Sequence, residues 1–421
     1  MNNFRLAPIL KEVAAIFNAA GKEAYLVGGA VRDLMLGRDS SDWDLATSAR
    51  PEEVMRLFNK VIPTGIKHGT VTIRHKGASI EATTFRTESG YSDGRRPDEI
   101  QYAATIEEDL SRRDFTMNAA AVKLPEGTLI DPFNGRSDIR RRLIRCVGNA
   151  AERFAEDGLR PMRAVRFAAQ LGFNLEEKTL KAIPGVLTTT SRVAVERIRE
   201  ELDKTIASKS PQTGIVIMEE TGLLCLILPE LDACRGIEQK GYHHYDVLDH
   251  SLLSCAYAAK KGFSQEVRLA ALFHDLGKQT TQKMGADGIW TFYNHEKESV
   301  QLTGNIMRRL RYPNAVIEKV RRLIAGHMFH YEDNWKDNAV RRFIIRTGED
   351  LLPELFDLRL ADKAGMAGTD PNPVDLLPFK KRIESVLAAG SALSLKRLAV
   401  NGEDLMGIGV KPGKHIGIIL K

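Results

Sequence analysis

Short apolar runs separated by polar turns fill the first third of the chain, and helical spacing fills most of the rest. Tyr25 to Val27 form an apolar run that enters the pair Gly28-Gly29, and a helix-like segment opens at once with Arg32 and Asp33. If Trp43 lies on a strand, Asp42 and Asp44 stand at i and i+2 and point to one face. The stretch PEEVMRLF reads as a short helix with Pro51 in its first turn. Val71 to Phe85 alternates as a hairpin about Lys76-Gly77, with Glu81 on its second strand. Thr87 to Glu99 is polar, contains glycine and lacks periodicity, so it reads as a flexible loop. From about residue 146 strand-like alternation gives way to helical periodicity, as in RAVRFAAQLGF and VAVERIREELDKTI. The N-terminal MNNFRLAPILKEV suits an amphipathic helix better than a secretion signal. The pattern predicts an α+β fold: an N-terminal head (1–145) with a mixed β-sheet and helices, then an all-α neck (146–205), body (206–370) and tail (371–421).

Composition narrows the class. A chain of 421 residues with 43% apolar content can bury two or more cores. Mean hydropathy is -0.24, and no stretch approaches the ~20 apolar residues of a membrane span. The expectation is a cytoplasmic enzyme with no membrane partner, either monomer or homodimer. Cys146, Cys225, Cys234 and Cys255 lack CxxC or zinc-finger spacing and read as reduced core thiols. Net charge is +6, with basic clusters at Arg140-Arg141-Arg142, Arg308-Arg309, Arg321-Arg322 and Arg341-Arg342. Such clusters are often solvated helix faces; on a basic chain with a nucleotide-like motif they favour a polyanion such as RNA.

The candidate chemistry begins at Gly28. Two carboxylates beside a glycine turn at a helix start suit Mg²⁺ and a polyphosphate, because backbone N–H groups cradle phosphate while the acids hold the cation. Glu81 is a third candidate acid. The bland alternative is a tight turn with two solvated aspartates. In EDGLRPMR, Asp157 and Arg160 stand at i and i+3, neighbours on one face if the helix starts near Asp157. A carboxylate accepting from an exocyclic amine, beside a guanidinium donating to a ring acceptor, matches cytosine and adenine and mismatches uracil and guanine. The competing reading is an intrahelical ion pair worth ~0.3–0.5 kcal/mol. Arg163 and Arg166 continue the face, and three stacked arginines repel unless an anion lies against them.

With SRRDFTMNA (111–119), IDPFNGRSDI (130–139) and RFAEDGLRPMRAVRFAAQLGF (153–173) in view, residues 20–205 resemble the class II CCA-adding tRNA nucleotidyltransferases of the polymerase-β-like superfamily. The resemblance implies addition of C, C and A from CTP and ATP to the 3′ end of tRNA, with Mg²⁺ on Asp42 and Asp44. It implies nucleotide binding by Gly28, Gly29, Arg32, Asp33, Arg113, Asp114, Asp157, Arg160, Arg163 and Arg166. Asp114 would accept from the ribose 2′-hydroxyl. Arg112 reads equally as an exposed structural charge, and Asn118 as a local hydrogen-bonding residue. Asp131-Pro132 and Asn134-Gly135 read first as turn chemistry, with a direct role for Asp131 the lesser alternative. The loop YSDGRRP, with Arg95 and Arg96, resembles the element that switches selection from CTP to ATP. A poly(A) polymerase, or an A-adding or CC-adding specialist, is the alternative.

A second constellation lies in the body. VLDHSL (His250), LFHDLGK (His274, Asp275), YNHEKESV (His295), AGHMFHY (His327) and LADKAG (Asp362) occur in that order. They resemble the HD phosphohydrolases, in which scattered His and Asp bind divalent metals and hydrolyse phosphate esters. The resemblance implies a metal site at His250, His274, Asp275 and Asp362 for a divalent ion such as Ni²⁺ or Mn²⁺, with His295 and His327 as candidate ligands of a second ion. RNA ends or nucleotides are the implied substrates. The tail from Ala399 resembles the opening of the related tails and is short by comparison.

Overall fold

The structure, a computed structural model, describes residues 4–89, 99–239, 245–286, 289–389 and 402–419. It divides into two compact units, Met1–Ile227 and Leu228–Lys421. Among the described residues no helix is long and apolar enough to cross a membrane.

The first unit opens with helix α1 (Pro8–Ala19), started by proline and burying Leu10, Val13, Ala14 and Phe17, a helical stripe at i, i+3, i+4 and i+7. The chain continues through β1 (Ala24–Val27), α2 (Gly29–Met35), β2 (Trp43–Thr47), α3 (Pro51–Leu57), β3 (Val61–Gly65), β4 (Thr70–His75) and β5 (Ala78–Thr84). Then come β6 (Arg86–Ser89), β7 (Glu99–Tyr102), α4 (Ile106–Ser111), β8 (Ala121–Lys123) and β9 (Leu129–Ile130). Seven strands form one mixed sheet in the order β3-β4-β5-β2-β1-β8-β9, in which only β2 and β5 run parallel. β4 and β5 form the expected hairpin, with Lys76 and Gly77 both at positive φ in the turn.

Strand alternation decides which residues reach the site. Leu26, Leu45, Ile80 and Ala82 pack with α1 on one face of the sheet. Tyr25, Val27 and Ala46 pack with Phe85, Ile106 and Leu110 on the other. Asp44 and Glu81 fall on this second face, in register across the β2–β5 pair. The ends of the supposed loop at Thr87–Glu99 are strand instead: β6 pairs antiparallel with β7. Residues 90–98, which include Arg95 and Arg96, lie outside the described residues.

Helix α5 (Gly135–Arg140) leads to α6 (Ala150–Glu156) and α7 (Arg160–Leu171). The expected helix start at Asp157 is not observed. Asp157 is the extended residue that ends α6 (φ -136°, ψ 107°), and α7 begins at Arg160 with Pro161 in its first turn. Two short ladders also interrupt the helical part of the chain. Leu143–Ile144 pairs parallel with Asn174–Leu175, and Lys283–Met284 antiparallel with Trp290–Thr291. Two-residue ladders are too short to show as alternation in sequence.

In the second unit, helix Val247–Lys260 packs against Gln265–Phe273 and Leu352–Ala367. The close crossing depends on Gly365, where an added Cβ would collide with Ser254 Oγ and the His250 carbonyl. Three cysteines are buried, as expected of core thiols, but Cys225 is exposed.

Candidate functional site

The glycine turn between β1 and α2, the start of β2, and helix α7 border one cavity of about 770 Å³. Gly28, Gly29, Arg32, Asp42, Asp44, Arg113, Asp114, Asp157, Arg160, Arg163 and Arg166 all line it. Asp33 and Glu81 do not. Asp33 turns aside to pair with Arg32 (Nη2 to Oδ1, 3.0 Å). Glu81 stands beside Asp44 on the neighbouring strand.

Gly28 is obligatory on steric grounds. Its φ of 70° with ψ of -137° suits a residue without a side chain. An added Cβ would also stand 3.3 Å from Arg113 Nη1 and 3.4 Å from Asp44 Oδ2. The turn therefore brings backbone N–H groups, a carboxylate and a guanidinium together. Burial raises the Asp44 carboxyl to about 6, helped by Glu81 and Asp42 and opposed by Arg113. A carboxylate crowded by two others in a half-buried site favours a bound cation, so the donor set fits a hard divalent metal.

Buried Asp109 organises the arginines at the cavity edge. Its Oδ1 accepts from Arg112 Nε and Nη2 at 3.0 and 2.9 Å, and its Oδ2 from Arg113 Nη2 at 3.3 Å. Burial pushes the Asp109 carboxyl up, but Arg112 and Arg113 outweigh it and leave it below the usual range. Arg112 is thus a partly buried structural charge rather than an exposed one. Asp131 accepts from the Gly135 and Arg136 N–H groups at 2.7 and 2.9 Å, as turn chemistry requires.

The arginines of α7 do not lack protein anions. Arg160 pairs with Glu156, Arg163 with Asp114, and Arg166 with Glu201. Mutual repulsion therefore does not by itself call for an external anion. The Phe167 ring spaces three of the cavity's guanidiniums, lying 5.5 Å from Arg32, 5.5 Å from Arg163 and 4.3 Å from Arg166.

Asp157 and Arg160 share the cavity wall without pairing. Arg160 Nη1 donates to Glu156 and to the Arg153 carbonyl, and Nη2 donates to the Arg112 carbonyl at 3.1 Å. Asp157 Oδ1 caps the Leu159 N–H at 2.9 Å, and its Oδ2 lies 3.8 Å from Arg197 Nη2. The i, i+3 face-sharing argument fails because the chain is extended at Asp157. Arg197, on the helix Val195–Ile206, completes the wall and was missed. Its only sequence signal was its place in a long helical stretch after the arginine face.

The second constellation gathers in the second unit. His250 Nε2 lies 3.2 Å from Asp275 Oδ2 and 3.3 Å from Asp362 Oδ1. His274 Nε2 is 2.9 Å from His250 Nε2, 3.4 Å from Asp275 and 3.5 Å from Asp362. On the other side of Asp275, His295 Nε2 lies 3.2 Å and His327 Nε2 3.9 Å from Oδ1. Two overlapping donor sets result, His250–His274–Asp362 and His274–Asp275–His327. The Nδ1 atoms of His274, His295 and His327 face the carbonyls of Ala271, Phe292 and Ile324 at 2.9, 2.9 and 2.6 Å. If each Nδ1–H donates there, each Nε2 faces Asp275, the orientation that metal-binding histidines take. Burial opposes a charge on His274, yet the Asp275 carboxylate prevails and holds it at about 10. The cluster therefore attracts positive charge, which a divalent ion also carries.

Comparison with known proteins decides the family. Residues 24–145 match the Poly A polymerase head domain, 172–235 the probable RNA and SrmB-binding site of polymerase A, and 243–367 the HD domain. The chain is 37% identical to the CCA-adding enzyme of Lactobacillus delbrueckii subsp. bulgaricus over 424 aligned residues, covering 100% of this chain and 94% of that protein. It belongs to the CCA-adding enzymes. A second relative, the CCA-adding enzyme of Levilactobacillus brevis, is 35% identical over 98% of this chain and 90% of its own length. The crystal structure of the Bacillus stearothermophilus CCA-adding enzyme in complex with CTP superposes with a TM-score of 0.73 at 33% identity, covering 99% of this chain and 91% of that one. As a CCA-adding enzyme the chain is a nucleotidyltransferase, and it carries an HD domain as well.

Proposed function

We propose that this CCA-adding enzyme extends tRNA lacking its terminal CCA, using CTP twice and ATP once without a nucleic-acid template. The carrying observation is the single cavity that combines the Gly28-Gly29 turn, the Asp42–Asp44 pair and the α7 arginines. Its volume of about 770 Å³ suits a nucleotide. Backbone N–H groups of the turn, with Arg32 and Arg113, would take the triphosphate. Asp42 and Asp44, backed by Glu81, would hold Mg²⁺, which when bound neutralises phosphate charge and activates the attacking hydroxyl. The tRNA 3′-hydroxyl would give up its proton to solvent as its oxygen bonds to the α-phosphorus, and the bond to the departing pyrophosphate breaks.

Base selection rests on Asp157 and Arg160. The Asp157 carboxylate would accept from the exocyclic amine of cytosine or adenine and repel the carbonyl that uracil or guanine presents. Arg160 has five N–H donors, of which both on Nη1 and one on Nη2 already serve protein acceptors, leaving Nε–H and the second Nη2–H for the ring acceptor. Asp114 is engaged by Arg163, Asn118 and the Phe115 N–H, so a contact to the ribose 2′-hydroxyl would share an occupied carboxylate.

The HD cluster would hold one or two divalent ions, such as Ni²⁺ or Mn²⁺, and hydrolyse phosphate esters on nucleotides or RNA ends. We place the enzyme in the cytoplasm with its tRNA substrate.

Extension of a tRNA transcript ending before CCA, resolved one nucleotide at a time, tests the reading. CTP alone should add two residues, CTP with ATP three, and UTP or GTP none. Arrest after CC, or a long A tail, would replace it with a partial or polyadenylating activity. Asp42→Ala/Asp44→Ala should abolish extension.

A further inference from the structure

An aromatic recess lies directly beside the HD cluster. It measures about 510 Å³, within the range of small-molecule sites, and Trp290, Phe292, Tyr293 and Met328 form its apolar walls. His295 and Lys278 close it on the side of the cluster. Both residues reach Asp275: His295 Nε2 at 3.2 Å and Lys278 Nζ at 2.7 Å. A group seated in the recess thus lies against the metal-ligand set itself.

The walls are more apolar than solvent contact alone would favour. Tyr293 is 77% exposed and Met328 59%, and Met284, 53% exposed, stands across the short ladder from Trp290. Large apolar side chains gathered at the rim of a concave site mark a binding surface. Inorganic phosphate or a sugar phosphate would gain little from such walls. A nucleobase would gain much, since an exposed aromatic face stacks on any base.

We propose that Trp290, Tyr293 and Met328 form a base-stacking seat that makes this HD centre select phosphates carried on a nucleoside. The proposal rests on reading the cluster as a phosphohydrolase, and it assigns a nucleotide seat separate from the CTP- and ATP-binding cavity of the head. The shared ligand chemistry is a ribonucleoside with a phosphate on its ribose, whether free or at the 3′ end of an RNA.

The test is equilibrium binding to the full-length enzyme in EDTA, so that it does not depend on turnover. Probes are 3′-AMP, ribose 5-phosphate and an RNA trinucleotide ending in a 3′-phosphate. A saturating non-hydrolysable CTP analogue competes for the head cavity throughout, and a parallel series replaces EDTA with Ca²⁺. We expect 3′-AMP to bind at least about tenfold more tightly than ribose 5-phosphate, with that preference lost in Tyr293→Ala and kept in Tyr293→Phe. Tighter binding of the trinucleotide than of 3′-AMP would name RNA ends as the source, and the reverse would name free nucleotides. Equal binding of 3′-AMP and ribose 5-phosphate, or an unchanged preference in Tyr293→Ala, would overturn the seat. CCA addition by Tyr293→Ala serves as the folding control. Loss of manganese-supported hydrolysis in His274→Ala, with 3′-AMP binding intact, separates the hydrolase reading from the seat.

Discussion

Arg163 Nη2 lies 2.6 Å from Asp114 Oδ2, which ties helix α7 to the segment that follows α4. Burial pushes the Asp114 carboxyl up, but Arg163 prevails and holds it below the usual range. The pair sits on the wall of the head cavity, so it combines a structural role with a place in the candidate site. Removing Asp114 leaves the Arg163 guanidinium, partly buried, without its carboxylate. Discounted for the one-third exposure of Arg163, Asp114→Ala should cost roughly 2–3 kcal/mol, read as a lowered urea midpoint at constant m-value. In a double-mutant cycle with Arg163→Ala the two losses should be strongly non-additive.

The Asp44 carboxyl, raised to about 6, sets a pH limit. Protonation below that value would take away the proposed metal-binding carboxylate, so the Mg²⁺ concentration for half-maximal addition should rise as pH falls through 6. Because the folded pKa lies above the unfolded one, the contribution of Asp44 to stability without metal is present below about pH 4 and is lost as pH rises through 6. Glu81→Gln removes one of the charges that raise Asp44. Its acid limb should therefore move to lower pH, which a pH series of single-nucleotide addition would detect.

Gly28→Ala places a Cβ near Arg113 and Asp44 at a backbone conformation that L-residues avoid. Strain of about 1–3 kcal/mol is expected, with nucleotide addition reduced by about 100-fold or more. Single-turnover extension together with thermal unfolding separates the loss of the site from loss of the fold.

Asp157→Ala should relax base choice rather than merely slow addition. The ratio of kcat/KM for CTP over UTP is expected to fall by about tenfold or more, because a carboxylate no longer opposes the uracil carbonyl. Arg197→Ala should shift the same ratio in the same direction by a smaller factor, since Arg197 Nη2 lies 3.8 Å from Asp157 Oδ2 on the same cavity wall. An unchanged ratio in Asp157→Ala would remove that residue from base reading.

His274→Ala should abolish tight Mn²⁺ or Ni²⁺ binding, measured by calorimetry, while CCA addition stays within about twofold. Its Nε2 lies within 3.5 Å of both Asp275 and Asp362, so its loss weakens both donor sets.

The α+β class, the glycine turn and the Asp42–Asp44 pair were legible because they depend on local spacing: a period of two on β2 and a Gly-Gly punctuation before α2. The histidines of the HD region were legible as a set only through resemblance, because nothing local brings His250 and Asp362 together across 111 intervening positions. The break at Asp157 was hidden, since helical spacing runs on both sides of it.

The sequence by itself determined the strand alternation that puts Asp44 and Glu81 on one face, the positive-φ turn at Gly28, and the residue types of both constellations. These are properties of neighbours along the chain, where backbone geometry fixes what a side chain can face. Only the tertiary structure decided that Arg160 is held by Glu156 and the Arg112 carbonyl, that Arg163 belongs to Asp114, and that Arg197 stands beside Asp157. A guanidinium at the end of a long side chain has many carboxylates within reach, and the packing of helices distant in sequence selects among them.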